Sequence, residues 1–323
     1  MIITPRSAAS NAGNWHTAAR WSRFLRKRFR VVLADRWDGS AADCLIALHA
    51  RRSADSIHCF AATHPDQPLI VVLTGTDLYR DIETDRAAQR SLGLATSLVV
   101  LNELGALKLP ARLRAKTTVI LQSAPALSRV RHPTRTFTVA VVGHLRAEKD
   151  PALVWNLLPL IDPELPLRVL HAGAALDARL GREAAATALS DRRYVWLGDK
   201  TRAQARQLMR RAQVLLHPSV MEGGAQAVIE AVTAHTPVIA SRIDGNTGLL
   251  GRSYPALFEV GDAAGAARLV ERAALEPGFR HKLVRACALR AGLFAPAREA
   301  AAVNRLVHNA LAGRTRKRTR IER

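Results

Sequence analysis

Cysteine is scarce in this chain. The three present, Cys44, Cys59 and Cys287, are scattered with no CxxC pair, and no histidines cluster at metal-ligand spacing, so neither a disulfide framework nor a zinc site is indicated. A reducing, cytoplasmic setting fits. No apolar run approaches the roughly 20 residues that a bilayer-spanning helix needs. The apolar start at residues 1–4 reaches Pro5 and Arg6 at once, too short for the core of a signal peptide. Aromatic residues make up only 5%, which leaves little for base stacking, and no helix-turn-helix, RRM or KH signature is visible. A nucleic-acid-binding protein, bound nonspecifically through charge, stays as the rival from another class. No G-x-G-x-x-G follows a strand-like run, which counts against a dinucleotide oxidoreductase.

Acidic charge is also short. Against 48 Lys and Arg stand 27 Asp and Glu, a formal net charge of +21. The last residues, 313–323 (GRTRKRTRIER), carry +5 of it and read as a disordered tail, so the body keeps +16. A body this basic expects phosphorylated small molecules, polyanions or an anionic membrane surface.

What is present is an ordinary globular composition, 48% hydrophobic over 323 residues, long enough for two packed domains. Short β-branched runs alternate with helical-period segments throughout, the pattern of parallel sheets wrapped by helices. Strands are expected at 1–4, 31–34, 44–48, 69–73, 98–101 and 119–121, then at 137–142, 167–172, 194–197, 214–216, 237–241 and 256–259. A helix is expected over 17–28, with Ala18, Trp21, Leu25 and Phe29 on one stripe. The basic stretch around Pro133 reads as a connection. The expected division is a domain over 1–128, a linker at 129–136, a domain over 137–312 and the tail. Doubly wound α/β domains bind ligands beyond the carboxyl ends of their strands, which directs attention to the loops there.

The densest such loop is HPSVMEGGAQAVIE, residues 217–230. Gly223 and Gly224 let a ligand approach the backbone as a helix opens, where unpaired N–H groups and the helix dipole favour an anion. Glu222 and Glu230, eight residues apart, are separated by roughly 12 Å if both lie on a helix. That exceeds the about 5–9.5 Å of two carboxylates acting on one glycosidic bond. The spacing suits a grip on two ends of an extended ligand, such as the sugar and the ribose of a nucleotide sugar; a helix cap and a solvated charge are the bland alternative.

These residues resemble a GT-B glycosyltransferase of the family-4 type, in which a Glu-x7-Glu motif holds a nucleotide-sugar donor. The resemblance implies an α/β fold of two Rossmann-like doubly wound domains facing a cleft, and no bound catalytic metal. It places Glu222, Arg146 and Lys149 in the catalytic set, the two basic residues on the donor diphosphate. Around the donor it places Gly143, His144, Gly223, Gly224, Ala225 and Glu230, with Gly245 and Asn246 in a loop after the strand at 237–241. His16 and His217 also lie near these loops; of the three histidines only His144, between Gly143 and Arg146, is a candidate.

The runs 73–79 (LTGTDLY), 222–225 (EGGA) and 237–251 (PVIASRIDGNTGLLG) are similar to a subgroup that includes the selenosugar synthases of selenoneine biosynthesis. Val220, Gln226 and Trp15 depart from that pattern. The likeness implies transfer of a hexose from UDP-N-acetylglucosamine or UDP-glucose to selenophosphate, forming a C–Se bond. The UDP-sugar is a substrate, so no cofactor is implied, nor a stable membrane association or a specific nucleic-acid partner. A selenium anion is a strong nucleophile at neutral pH and requires no general base. Candidate acceptor contacts are Arg6, Gly13 and Asn14 after the first strand, and Thr74, Gly75, Thr76 and Asp77 after the fourth; Gly75 as a turn and Asp77 as a helix cap are equally open. A GT-B enzyme acting on a hydroxyl of a lipid or glycan is the nearer rival, and it needs a base such as Asp77.

Overall fold

In the computed structural model of the chain, residues 1–5, 13–131 and 135–321 are described, the side chains as far as residue 313. The chain divides into two compact units. Unit one combines Met1–Gln122 with Pro296–Arg323, and unit two is Ser123–Ala295.

Unit one is built on β1 (Ile2–Ile3), β2 (Leu33–Ala34), β3 (Leu45–Leu48), β4 (Leu69–Val72), β5 (Ser97–Val100) and β6 (Thr117–Val119), all parallel in the order β2-β1-β3-β4-β5-β6. Its helices are α1 (Gly13–Leu25), α2 (Ala54–Thr63), α3 (Ile82–Thr84), α4 (Arg86–Leu94) and α5 (Ala111–Arg114), with a π-helix at Asp77–Asp81 ahead of α3. Strands such as Leu-Ile-Val-Val are apolar at every position because helices cover both faces of a parallel sheet. Ile3, Leu45, Val71 and Val100 pack on one side, and Ile46, Ile70, Val72 and Val99 on the other.

Unit two carries β7 (Phe137–Val142), β8 (Leu167–Ala172), β9 (Tyr194–Trp196), β10 (Val214–His217), β11 (Val238–Ser241) and β12 (Leu257–Phe258), again all parallel, in the order β12-β11-β10-β7-β8-β9. Around it lie α6 (Pro151–Leu157), α7 (Ala178–Ser190), α8 (Arg202–Arg211), α9 (Gln226–Thr233), α10 (Asp244–Leu250), α11 (Ala263–Leu275) and α12 (Pro277–Ala291). Side chains start several of them: Asp150 accepts from Leu153 N, Asp262 from Gly265 N, and Thr201 forms a reciprocal capping box with Gln204. Each unit is a Rossmann-like doubly wound domain, as expected, and no helix of the described residues is long and apolar enough to cross a membrane.

The expected boundaries shift. Unit two starts at Ser123, and the last helix, α13 (Pro296–Ile321), belongs to unit one. There Val303, Leu306 and Val307 join Ala18, Trp21 and Leu25 in the core, while Glu299 is buried against Arg20 and Trp21. The segment expected as a disordered tail continues α13 as helix to Ile321. Strand β6 lies two residues earlier than expected because it is an edge strand with exposed side chains; the apolar Ile120 that marked it packs just beyond its end.

Candidate active site

The strand order of unit two reverses between β10 and β7. At such a switch point the loops leaving the two strands diverge and open a crevice. Residues 143–150 leave β7 and residues 218–225 leave β10. The backbone joins them where Val220 N–H donates to Glu148 O over 3.1 Å. Their side chains meet at Glu222, which is ion-paired with Lys149, while His217 Nε2 stands 3.2 Å from the same carboxylate oxygen. His217 closes β10 and is buried, with Ser219 Oγ 3.2 Å from its Nε2.

The charges are set by this contact. Burial alone raises the carboxyl of Glu222, but the Lys149 ammonium, reinforced by the hydrogen bond from His217, holds it well below the ordinary carboxylate range. Burial pushes His217 down against the pull of Glu222. The ring is therefore neutral at neutral pH, and its Nε2–H donates to a carboxylate that stays ionised. Arg146 lies one turn of chain away, 42% exposed, with Nε 3.9 Å from Glu148. That Nε is buried and has no hydrogen-bond partner among the described residues.

Three residues at the end of β8 fix the turn at Gly143 and His144. His171 Nε2 is 3.2 Å from Gly143 O and its Nδ1 2.9 Å from the Tyr194 hydroxyl. Burial pushes His171 down to about 4, so the neutral ring donates from Nε2 to the carbonyl and accepts at Nδ1. A β-carbon at Gly173 would lie 1.9 Å from Gly143 O, which restricts that position to glycine. Ala174 N–H donates to His144 Nδ1 over 3.1 Å.

Several expected placements change. Glu222 is in a loop and not on a helix, because α9 begins at Gln226 with Ala225 as its N-cap and no side chain capping it; the helical spacing between the two glutamates does not apply. Gly223, Gly224 and Ala225 lie between Glu222 and that uncapped helix start. Glu230 is buried on α9, where Arg202 Nε is 2.5 Å and Gln226 Nε2 3.2 Å away. Gly245 and Asn246 are in the first turn of α10, not in a loop. A β-carbon on Gly245 would lie 2.2 Å from Glu222 O, so this glycine is where α10 abuts the Glu222 backbone. Asn246 is fully buried, donating to Ser241 O at 3.0 Å and Ser241 Oγ at 3.1 Å, and Ser241 donates in turn to Ser219 O. Its Nδ2 thereby braces the loop from behind, while its Oδ1 is buried with no hydrogen-bond partner among the described residues.

In unit one the strand order reverses between β1 and β3. Arg6 lies outside the described residues, and Gly13 and Asn14 fall within α1 and not in a loop. Thr74, Gly75, Thr76 and Asp77 do follow β4, but Asp77 is fully buried. One of its oxygens accepts from Ala50 N at 2.9 Å, the other from Thr74 N at 2.7 Å and Thr74 Oγ1 at 2.9 Å. It ties the ends of β3 and β4 together and has no exposed edge for an acceptor.

Beside it is a group that sequence reasoning missed. His49, buried directly after β3, has φ 74°, a region that a residue with a β-carbon enters at a cost. Arg52 N–H donates to its Nδ1 at 3.3 Å; its Nε2 is 3.0 Å from Thr76 Oγ1 and 3.9 Å from Asp81. Asp81 Oδ2 is buried without a hydrogen-bond partner among the described residues, and Arg51 and Arg80 stand 3.6 Å and 3.2 Å from Asp81 Oδ1. The π-helix across Asp77–Asp81 turns both carboxylates inward, a backbone form that is frequent at functional sites. For His49, as for His217 and His171, the available signal was a histidine at the end of a strand-like run.

Comparison with known proteins follows the same division. A family model described as Glycosyl transferases group 1 matches residues 127–289. No curated protein matches the chain. Among solved structures, the chain is similar to Anabaena HepE in complex with UDP, at 16% identity over 84% of this chain and 79% of that one, TM-score 0.66. HepE in complex with UDP-glucose gives 14% identity over 96% and 85%, TM-score 0.67. Sucrose-phosphate synthase from Thermosynechococcus elongatus gives 17% over 84% and 74%, TM-score 0.70. At these identities the likeness is one of fold.

Proposed function

The chain belongs to the group 1 glycosyl transferases, and from that premise we propose that unit two binds a UDP-sugar whose hexose passes to selenophosphate, as in the selenosugar synthases that the runs at 73–79, 222–225 and 237–251 resemble. The observation that carries the donor half is the contact of Lys149, Glu222 and His217 at the switch point of the sheet. Structures of the same fold hold UDP and UDP-glucose, which supports this donor class.

The chemistry follows from the charges. Lys149 and Arg146 face the diphosphate, and as the bond from C1 to the diphosphate oxygen breaks its electron pair leaves with UDP, where preorganised cations lower the barrier. Glu222, kept ionised by its neighbours, accepts from sugar hydroxyls. Selenium attacks C1 with its own electron pair, giving a hexosyl selenophosphate that loses phosphate by hydrolysis. Asp77, the candidate base for a hydroxyl acceptor, is buried and already bonded to three donors. This favours an acceptor that arrives ionised.

Incubation with UDP-glucose or UDP-N-acetylglucosamine and selenophosphate is expected to release UDP and yield a hexose bearing selenium by mass spectrometry. UDP release with neither donor overturns the donor assignment. Release only with a glycan or lipid hydroxyl overturns the acceptor.

A further inference from the structure

A cavity of about 500 Å³ lies in unit two at the amino-terminal ends of the strands, away from the switch-point loops: Phe137 opens β7 there, and Gln213 and Pro237 directly precede β10 and β11. Three guanidinium groups, Arg129, Arg210 and Arg280, line it, and no Asp or Glu does among the described residues. Arg210 donates to Ser128 O at 2.7 Å and Ser128 Oγ at 2.6 Å, and Arg280 donates to Ala273 O at 2.9 Å and lies 5.8 Å over the Phe137 ring. Neutral acceptors orient a guanidinium but leave its charge uncancelled. The charges thus surround apolar walls that include Phe137 and the exposed Leu275.

His235 adds an independent sign. It follows the end of α9 with φ 64°, the left-handed position that Gly or Asn usually fills. The chain instead has a histidine there, which lines the cavity and has the Leu127 carbonyl as partner. Residues with a β-carbon at positive φ cluster at ligand sites, and the volume suits a small molecule.

We infer that this cavity is a second binding site, for a small soluble molecule that joins a phosphate to an apolar ring. The UDP-sugar reading makes no use of it.

The test is a calorimetric titration of the full chain, held in saturating UDP, with 1-naphthyl phosphate. One equivalent is expected to bind, at least ten-fold tighter than inorganic phosphate or 1-naphthol. Arg129→Ala, which removes an exposed side chain, and Arg280→Ala should each weaken it ten-fold or more, whereas Lys149→Ala should leave it unchanged. If Arg280→Ala fails to fold by circular dichroism, Arg280→Lys and Arg129→Ala carry the comparison. Displacement by UDP, equal binding of 1-naphthol, or full affinity in Arg129→Ala and the Arg280 variant overturns the inference. Failure to bind UDP counts against the donor reading alone, since the naphthyl phosphate titration is read separately.

Discussion

Asp77 gives both of its carboxylate oxygens to neighbouring strand ends, and its replacement by alanine would leave buried N–H groups of Ala50 and Thr74 unpaired. A loss of about 2–4 kcal/mol is expected in urea unfolding; unchanged stability with lost turnover would instead make it a base. Glu222→Ala is different in kind, because it takes the counter-charge from Lys149 and the acceptor from His217. Transfer should fall by roughly a hundred-fold or more, a barrier change of about 2.7 kcal/mol, with the fold retained by circular dichroism. Turnover within a few-fold of the parent would refute its role. His171 sets a pH dependence. Its folded pKa of about 4 lies below the ordinary 6.5, so between those values the unfolded chain holds a proton that the folded chain lacks. The contribution is fully present above about pH 6.5 and is lost on acidification toward pH 4, by on the order of 3 kcal/mol. Urea unfolding at pH 7 and pH 5 should show the fall, smaller in His171→Gln; equal slopes would exclude His171 as its source. Burial pushes His217 and His49 down as well and adds to the same trend.

At the level of elements, the loops that carry Gly143 and Glu222 are held by glycines at which a neighbouring strand end and a helix press on them. A β-carbon at Gly245 would stand 2.2 Å from Glu222 O, and one at Gly173 1.9 Å from Gly143 O. Both neighbours are backbone and cannot swing aside. Gly245→Ala is therefore expected to cost about 1–3 kcal/mol and to lower UDP affinity, read by thermal unfolding and calorimetry; a variant with parent affinity would show that the loop moves freely. The strands were legible in the sequence because a parallel sheet covered on both faces leaves continuous apolar runs: 137–142 and 167–172 coincide with β7 and β8. The loops were less legible. The run beginning at Asp244 reads as a turn by its Gly and Asn content, yet it folds as helix α10, because Gly245 fits against Glu222 and Asn246 bonds back to Ser241. Glu222, Lys149 and Arg146 were singled out by the resemblance and by their places after strands, and the structure brings Lys149 and Glu222 into contact. His49 and His171 could not be ranked, since nothing local distinguishes a histidine that clamps a turn from one that fills a core.

For the whole molecule, periodicity along the chain carries no mark of which unit a terminal helix will join. The burial of α13 in unit one rests on contacts across 278 residues, with Trp21 Nε1 donating to Glu299 at 2.7 Å and Arg20 Nε at 2.7 Å. Glu299→Ala would leave the buried Arg20 charge without its partner, a loss of about 3–5 kcal/mol, measured by urea unfolding; a loss below 1 kcal/mol would mean that the pair is dispensable. Because unit two is one continuous stretch set between the two parts of unit one, synthesis and assembly run in different orders. The ribosome can release all six strands of unit two before α13 exists, whereas the face of α1 bearing Ala18, Trp21 and Leu25 waits for Val303 and Leu306. At about 5–20 residues per second, the wait for residues 123–295 lasts roughly 9 to 35 s. The part of unit one made before unit two is thus completed only after it, and during that interval its uncovered apolar stripe is a surface that a nascent-chain chaperone can recognise.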